Sequence, residues 1–167
     1  MHAKHGWGGP RHYPRIAPND QQPESSAAQE VLARYYAPVM GVVYQILGDI
    51  GLVDHAVETI FRRTLRSGAT TPVAIWRCVV QVIRSYMLRG AMVPVAAHAY
   101  DAPIRILHSL AQLEPEGRLL ALLYFHEGLD DRQLAAIFDL HIDRVREQLS
   151  QAGDRMLMTL EHVDALR

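Results

Sequence analysis

The stretch Glu127–Ala152, EGLDDRQLAAIFDLHIDRVREQLSQA, decides the fold of this chain. Gly128 ends one helix, and Asp130 followed three residues later by Gln133 is a capping-box start for the next. Leu134, Ile137 and Phe138 then share an apolar face, and Ala135 is small where a second helix must cross closely. Asp139-Leu140-His141 interrupts the period, and Val145, Leu149 and Ala152 resume it on a new helix beginning near Asp143. Two short helices joined by so tight a turn read as a helix-turn-helix. The plainer reading of the same pattern is an αα-hairpin within an ordinary helical core.

Length and composition narrow the surroundings of this motif. A chain of 167 residues with 49% apolar content holds one domain or two small ones with true cores. No run approaches the ~20 apolar residues that cross a bilayer, so no membrane insertion is expected. The N-terminal MHAKHGWGGPRHYP lacks an apolar segment for secretion, which makes the cytoplasm the expected location. The single Cys78 has no internal disulfide partner, and beside Val79, Val80 and Val82 it reads as a packed thiol.

Residues 1–27 are rich in glycine and proline and carry no helical period, so they read as a disordered tail. His2, His5 and His12 lie there without the spacing of a closed zinc site. From Gln29 the chain turns helical. Val31, Leu32, Tyr35, Val39, Val42, Val43, Ile46 and Leu47 form one apolar stripe up to the Gly48-Asp49 break. Leu52, Val53, Val57, Ile60, Phe61 and Leu65 form another up to Gly68. Pro72 opens a third helix that runs through Trp76, Val80, Ile83 and Met87 to Arg89. Residues 91–103, with Pro94, read as a linker, followed by helices over 104–113 and 118–126 and then the helix-turn-helix. The final helix is expected to continue past Met156, with 161–167 as its end or a short tail. The fold class is therefore all-α, in two small helical domains at 28–90 and 104–160.

No strand alternation, glycine-rich phosphate loop or cluster of metal ligands occurs, so neither a cofactor nor an enzymatic activity is expected. His126-Glu127 and His141 with Asp143 read as polar residues at helix ends rather than as acid/base pairs. Trp76, Tyr86 and Tyr44 have faces suited to stacking on bases, but at helical spacing they read as core.

The order of these parts resembles the group 4, extracytoplasmic-function branch of the bacterial sigma-70 family. VLARYYAPVMGVVYQILGDIGLVDHAVETIFRRTLR is similar to the opening helices of sigma region 2, and IWRCVVQVIRSYMLRG to the family's segment that meets the promoter minus-10 element. LAQLEPEGRLLALLYFHEGLDDRQLAAIFDLHIDRVREQL resembles the region 4 module that reads minus 35, including Leu113, Pro115, Arg118, Tyr124-Phe125, Glu127-Gly128-Leu129, Ala135 and Val145. The resemblance implies a non-enzymatic role in transcription initiation, with core RNA polymerase and promoter DNA as partners. It places Glu58, Arg62 and Arg63 on the polymerase-facing helix, Arg77, Arg84 and Arg89 toward minus-10 DNA, and Arg144, Arg146, Gln148 and Gln151 toward the minus-35 groove.

Charge separates the two halves. Residues 28–90 carry seven arginines against four acids, a balance of +3 suited to phosphates. Residues 103–167 carry seven arginines against eleven acids, a balance of −4, whereas a DNA reader is usually basic. Glu147, Gln148, Gln151 and Asp154 stand where the family places small polar or basic residues, and Asp139 where its turn prefers glycine. His55, Glu58 and Thr59 replace an Asp, a Gln and a Glu of the family pattern, and Ile83 replaces an Asn. Binding of DNA by the second domain alone is expected to be weak at cellular salt.

Two further readings fit parts of the pattern. A sigma-like decoy that sequesters an anti-sigma factor needs the apolar docking surfaces of a sigma factor and no DNA contacts. A helix-turn-helix repressor would use the first domain to dimerise. An anti-sigma factor is also an expected partner of a working sigma factor, and the short linker lets the two domains close on each other in such a complex.

Overall fold

The computed structural model describes residues 22–90 and 109–165, with side-chain surroundings over 26–90 and 109–159. Helix α1 spans Gln22–Leu47, α2 Ile50–Arg66, α3 Pro72–Met87, α4 Pro115–Phe125, α5 Asp131–Phe138 and α6 Ile142–Ala165. No strand occurs among the described residues, so the all-α fold is the one the chain adopts. None of the described helices is long and apolar enough to cross a membrane.

Helix α1 starts at Gln22, inside the stretch read as a tail; the rest of that stretch and the 91–103 linker lie outside the described residues. Pro23 does not oppose this start, because a first-turn proline gives up only an N–H that has no helical acceptor. Val31, Tyr35, Val39, Val42, Val43, Ile46 and Leu47 are buried along one face, as their spacing predicts. Gly48 closes α1 at φ 71°, and Asp49 opens α2 by accepting a hydrogen bond from the Leu52 amide at 2.9 Å. Val53, Ala56, Val57, Ile60, Phe61 and Thr64 form the inner face of α2. Thr71 caps α3, with Pro72 in the first turn, and Ile75, Trp76, Val79, Val80, Val82, Ile83 and Tyr86 turn inward.

Trp76 is among the most deeply buried side chains, and Tyr86 is buried with it. Tyr44 differs from the core reading: it is exposed, because it lies on the side of α1 away from Val43 and Ile46. Cys78 is half-buried and its thiol donates to the Ile60 carbonyl at 3.6 Å. Ile83 is fully buried, so its apolar identity serves packing and not a surface contact.

The buried apolar residues of α1–α3 and of α4–α6 belong to one continuous cluster. Among the described residues, α1 touches α4, α3 touches α4, and α3 lies against α5. Arg118 is a buried polar member of this junction. It is 7% exposed, and its guanidinium donates to the carbonyls of Leu110 at 3.0 Å, Ala111 at 2.8 Å and Leu113 at 3.2 Å, and reaches Gln45 of α1 at 3.5 Å. Burial pulls its pKa below the ordinary arginine value, against the opposing field of Glu114.

Candidate nucleic-acid interface

The helix-turn-helix is built from local signals that the structure satisfies in full. The Asp130 carboxylate accepts from the Gln133 amide at 2.8 Å, and the Gln133 side chain accepts from the Asp130 amide at 3.0 Å, completing the capping box. At the other end of α5, Asp139 adopts the left-handed conformation at φ 58°, ψ 48°, alone among described non-glycine residues. That conformation lets the Leu140 amide donate back to the Ala135 carbonyl at 3.0 Å and turns the chain into α6. Val145 and Ala152 are buried on α6 and Leu149 is half-buried, which leaves Arg144, Glu147, Gln151 and Asp154 on an exposed stripe.

Arg144 on that stripe and the neighbouring Arg146 are already partnered. Arg144 pairs with Glu147, and Gln151 donates to the same carboxylate at 3.3 Å. Arg146 donates to Asp131 at 2.6 Å and lies 3.8 Å from Asp143. The hydrogen bond from Arg146 holds the Asp131 carboxyl below its ordinary value of 3.8. Gln148 is half-buried and Gln151 exposed, and both line a cleft with Leu113, Glu114, Glu116, Gly117 and Arg155.

The residues expected to meet minus-10 DNA divide. Arg89 is exposed just beyond α3. Arg77 donates through Nε to the Ala136 carbonyl at 3.1 Å. Arg84, seven residues on, donates through Nε to Glu116 at 3.0 Å and through its terminal nitrogens to the Phe138 carbonyl at 3.4 Å, with its guanidinium 5.5 Å from the Phe138 ring centre. Both arginines therefore cap the C-terminal carbonyls of α5. The three residues expected to face polymerase lie together on the outer side of α2: Glu58 and Arg62 form an (i, i+4) ion pair, with Arg63 exposed beside them. Tyr36, itself exposed, stacks on Phe61 of α2 at 5.8 Å. His55 packs edge-on against Tyr86 at 6.5 Å and so bridges α2 and α3.

No protein-family model matches the chain, and no curated protein matches it by sequence. Among solved structures it is similar to that of CnrH in complex with the cytosolic domain of CnrY, with a TM-score of 0.61 and 15% identity over 86% of this chain and 97% of that chain. CnrH is an extracytoplasmic-function sigma factor. The chain has a sigma-like fold. In this arrangement helix α3 and helix α5 lie against each other. Sequence reasoning missed this contact and the buried role of Arg118. Arg118, directly before the apolar run LLALL at 119–123, was the available signal for the second; nothing local signalled the first.

Proposed function

We propose that the chain is a sigma-like transcription initiation factor that binds core RNA polymerase and directs it to promoter minus-10 and minus-35 elements. The observation that carries this reading is the helix-turn-helix α5–α6 joined to the three-helix unit α1–α3 in a sigma-like fold. In this account the α2 surface of Glu58, Arg62 and Arg63 docks on polymerase. Arg77, Arg84 and Arg89 meet DNA near minus 10, and Arg144, Arg146, Gln148 and Gln151 meet it near minus 35. The protein works in the cytoplasm, and it carries out no chemistry of its own. CnrH forms a complex with the cytosolic domain of CnrY, and by analogy an anti-sigma partner would hold this chain inactive.

Run-off transcription is the test: core polymerase with the purified chain on a library of bacterial promoter fragments should yield discrete transcripts absent with core alone. A second reading is favoured by one observation, the pairing of Arg144 with Glu147 and of Arg146 with Asp131. A decoy that sequesters an anti-sigma factor has no use for free cations on α6. Such a protein would yield no transcripts from any fragment and would release an authentic sigma factor from its anti-sigma partner.

A further inference from the structure

Helix α5 has no basic residue in its own last turn, and Asp139 places a carboxylate at the end where the helix dipole is already negative. The missing positive charge comes from α3. Arg77 and Arg84 stand two helical turns apart on one face and reach the Ala136 and Phe138 carbonyls. Glu116 at the start of α4 completes the cradle around Arg84. A guanidinium that is held by a carboxylate, a carbonyl and an aromatic face uses the same planar donors that bind phosphate in a two-point geometry. One set of donors cannot serve both acceptors at once.

We propose that Arg77 and Arg84 form an internal latch, for which nucleic-acid phosphates compete with Glu116 and the carbonyl end of α5, so that phosphate binding and separation of α3 from α5 are one equilibrium. The inference rests on the sigma-like reading of α3 as a DNA-facing helix and adds to it a closed resting state made by the chain itself. The latch explains why α3 carries a positive surface and the α4–α5 side a negative one. Each half holds the other's countercharge, and DNA replaces the α5 side of the pair. Because the exchanged groups are charged, opening by DNA is salt-dependent, and each arginine released to phosphate adds about one unit to the salt slope of binding.

The test is a distance measurement on the full chain without polymerase. Spin labels are placed at Thr70→Cys in the α2–α3 loop and at Ser150→Cys on the exposed side of α6, in a Cys78→Ala background. The wild-type latch gives one short distance, and a random-sequence DNA duplex at fixed salt shifts the population to longer distances. Arg77→Ala with Arg84→Ala gives the longer distances before DNA is added, and Glu116→Gln, which removes only the carboxylate charge, raises the open fraction several-fold. Circular dichroism checks that the helices persist, and Glu116→Gln carries the reading if the double variant loses helix. Short distances in Glu116→Gln and in a folded double variant, or DNA bound by the wild type with no lengthening, would overturn the latch. Because no polymerase is present, a latch that opens on DNA in a chain that never binds core would contradict the sigma reading and leave the latch standing.

Discussion

The guanidinium of Arg84 lies over the ring of Phe138 and donates to that residue's own carbonyl, so a single side chain of α3 reads both the face and the backbone end of α5. The ring offers its negative face and the helix its negative pole, and the two attractions act on the same cation. Glu116 supplies the third side of the cradle.

Arg84→Ala is expected to cost about 1 kcal/mol, because the side chains of Arg84 and Glu116 remain 36% and 44% exposed and solvent screens the pair. Urea denaturation followed by circular dichroism should show a lower midpoint with little change in slope. A midpoint unchanged within error would mean that the contact contributes nothing to stability.

Arg118 is a different case, since its guanidinium is buried and serves four backbone carbonyls. Arg118→Ala leaves several of them without a donor in the interior and should cost about 3 kcal/mol. Arg118→Lys offers a point charge in place of a planar fork and should recover only part of that loss. Thermal unfolding of the three proteins gives the order directly.

Asp139 holds a backbone conformation that glycine adopts without strain. Asp139→Gly is therefore expected to be neutral or to stabilise by up to about 0.5 kcal/mol, while the β-branched Asp139→Val should destabilise by about 1 kcal/mol or more. A loss of stability in Asp139→Gly as large as in Asp139→Val would show that the carboxylate, and not the backbone, matters here.

Asp131 connects pH to the helix-turn-helix. The hydrogen bond from Arg146 lowers its folded-state pKa, so the associated stability is present above pH 3.8 and is lost as pH falls through the lowered folded value. Carboxyl titration by nuclear magnetic resonance should place Asp131 below 3.8, and Arg146→Ala should return it toward that value. The same midpoint in both proteins would remove the pairing from the account.

Glu147 occupies Arg144 and Gln151 together. Glu147→Gln removes one negative charge from the α6 stripe and releases Arg144, which should tighten DNA binding and steepen its salt dependence by about one unit. Fluorescence anisotropy titrations at several salt concentrations measure both. An unchanged slope would mean that Arg144 does not reach phosphate.

The helix-turn-helix was legible because its signals are local. The capping box of Asp130 and Gln133, the turn at Gly128 and the break at Asp139 each involve residues a few positions apart. The apolar stripes of α1–α3 were legible for the same reason, since a 3.6-residue period needs no knowledge of the partner face. The start of α1 was not, because Pro23 reads as a breaker unless it is known to fall in a first turn. Tyr44 shows a related limit: its spacing fits the edge of a stripe, and only packing decides on which side of the edge it falls. The latch was beyond reach of pattern reading. Arg77 and Ala136 are 59 positions apart, and an arginine that seeks carbonyls has the same appearance in sequence as one that seeks phosphates.

The most direct test of the account is titration of bacterial core RNA polymerase with the labelled chain at fixed physiological salt, for the wild type and for Glu116→Gln. The account predicts saturable one-to-one binding by both, tighter for Glu116→Gln because its closed state is weaker. No binding by either protein, with helices intact by circular dichroism, would contradict a working sigma factor and leave the anti-sigma decoy as the better reading.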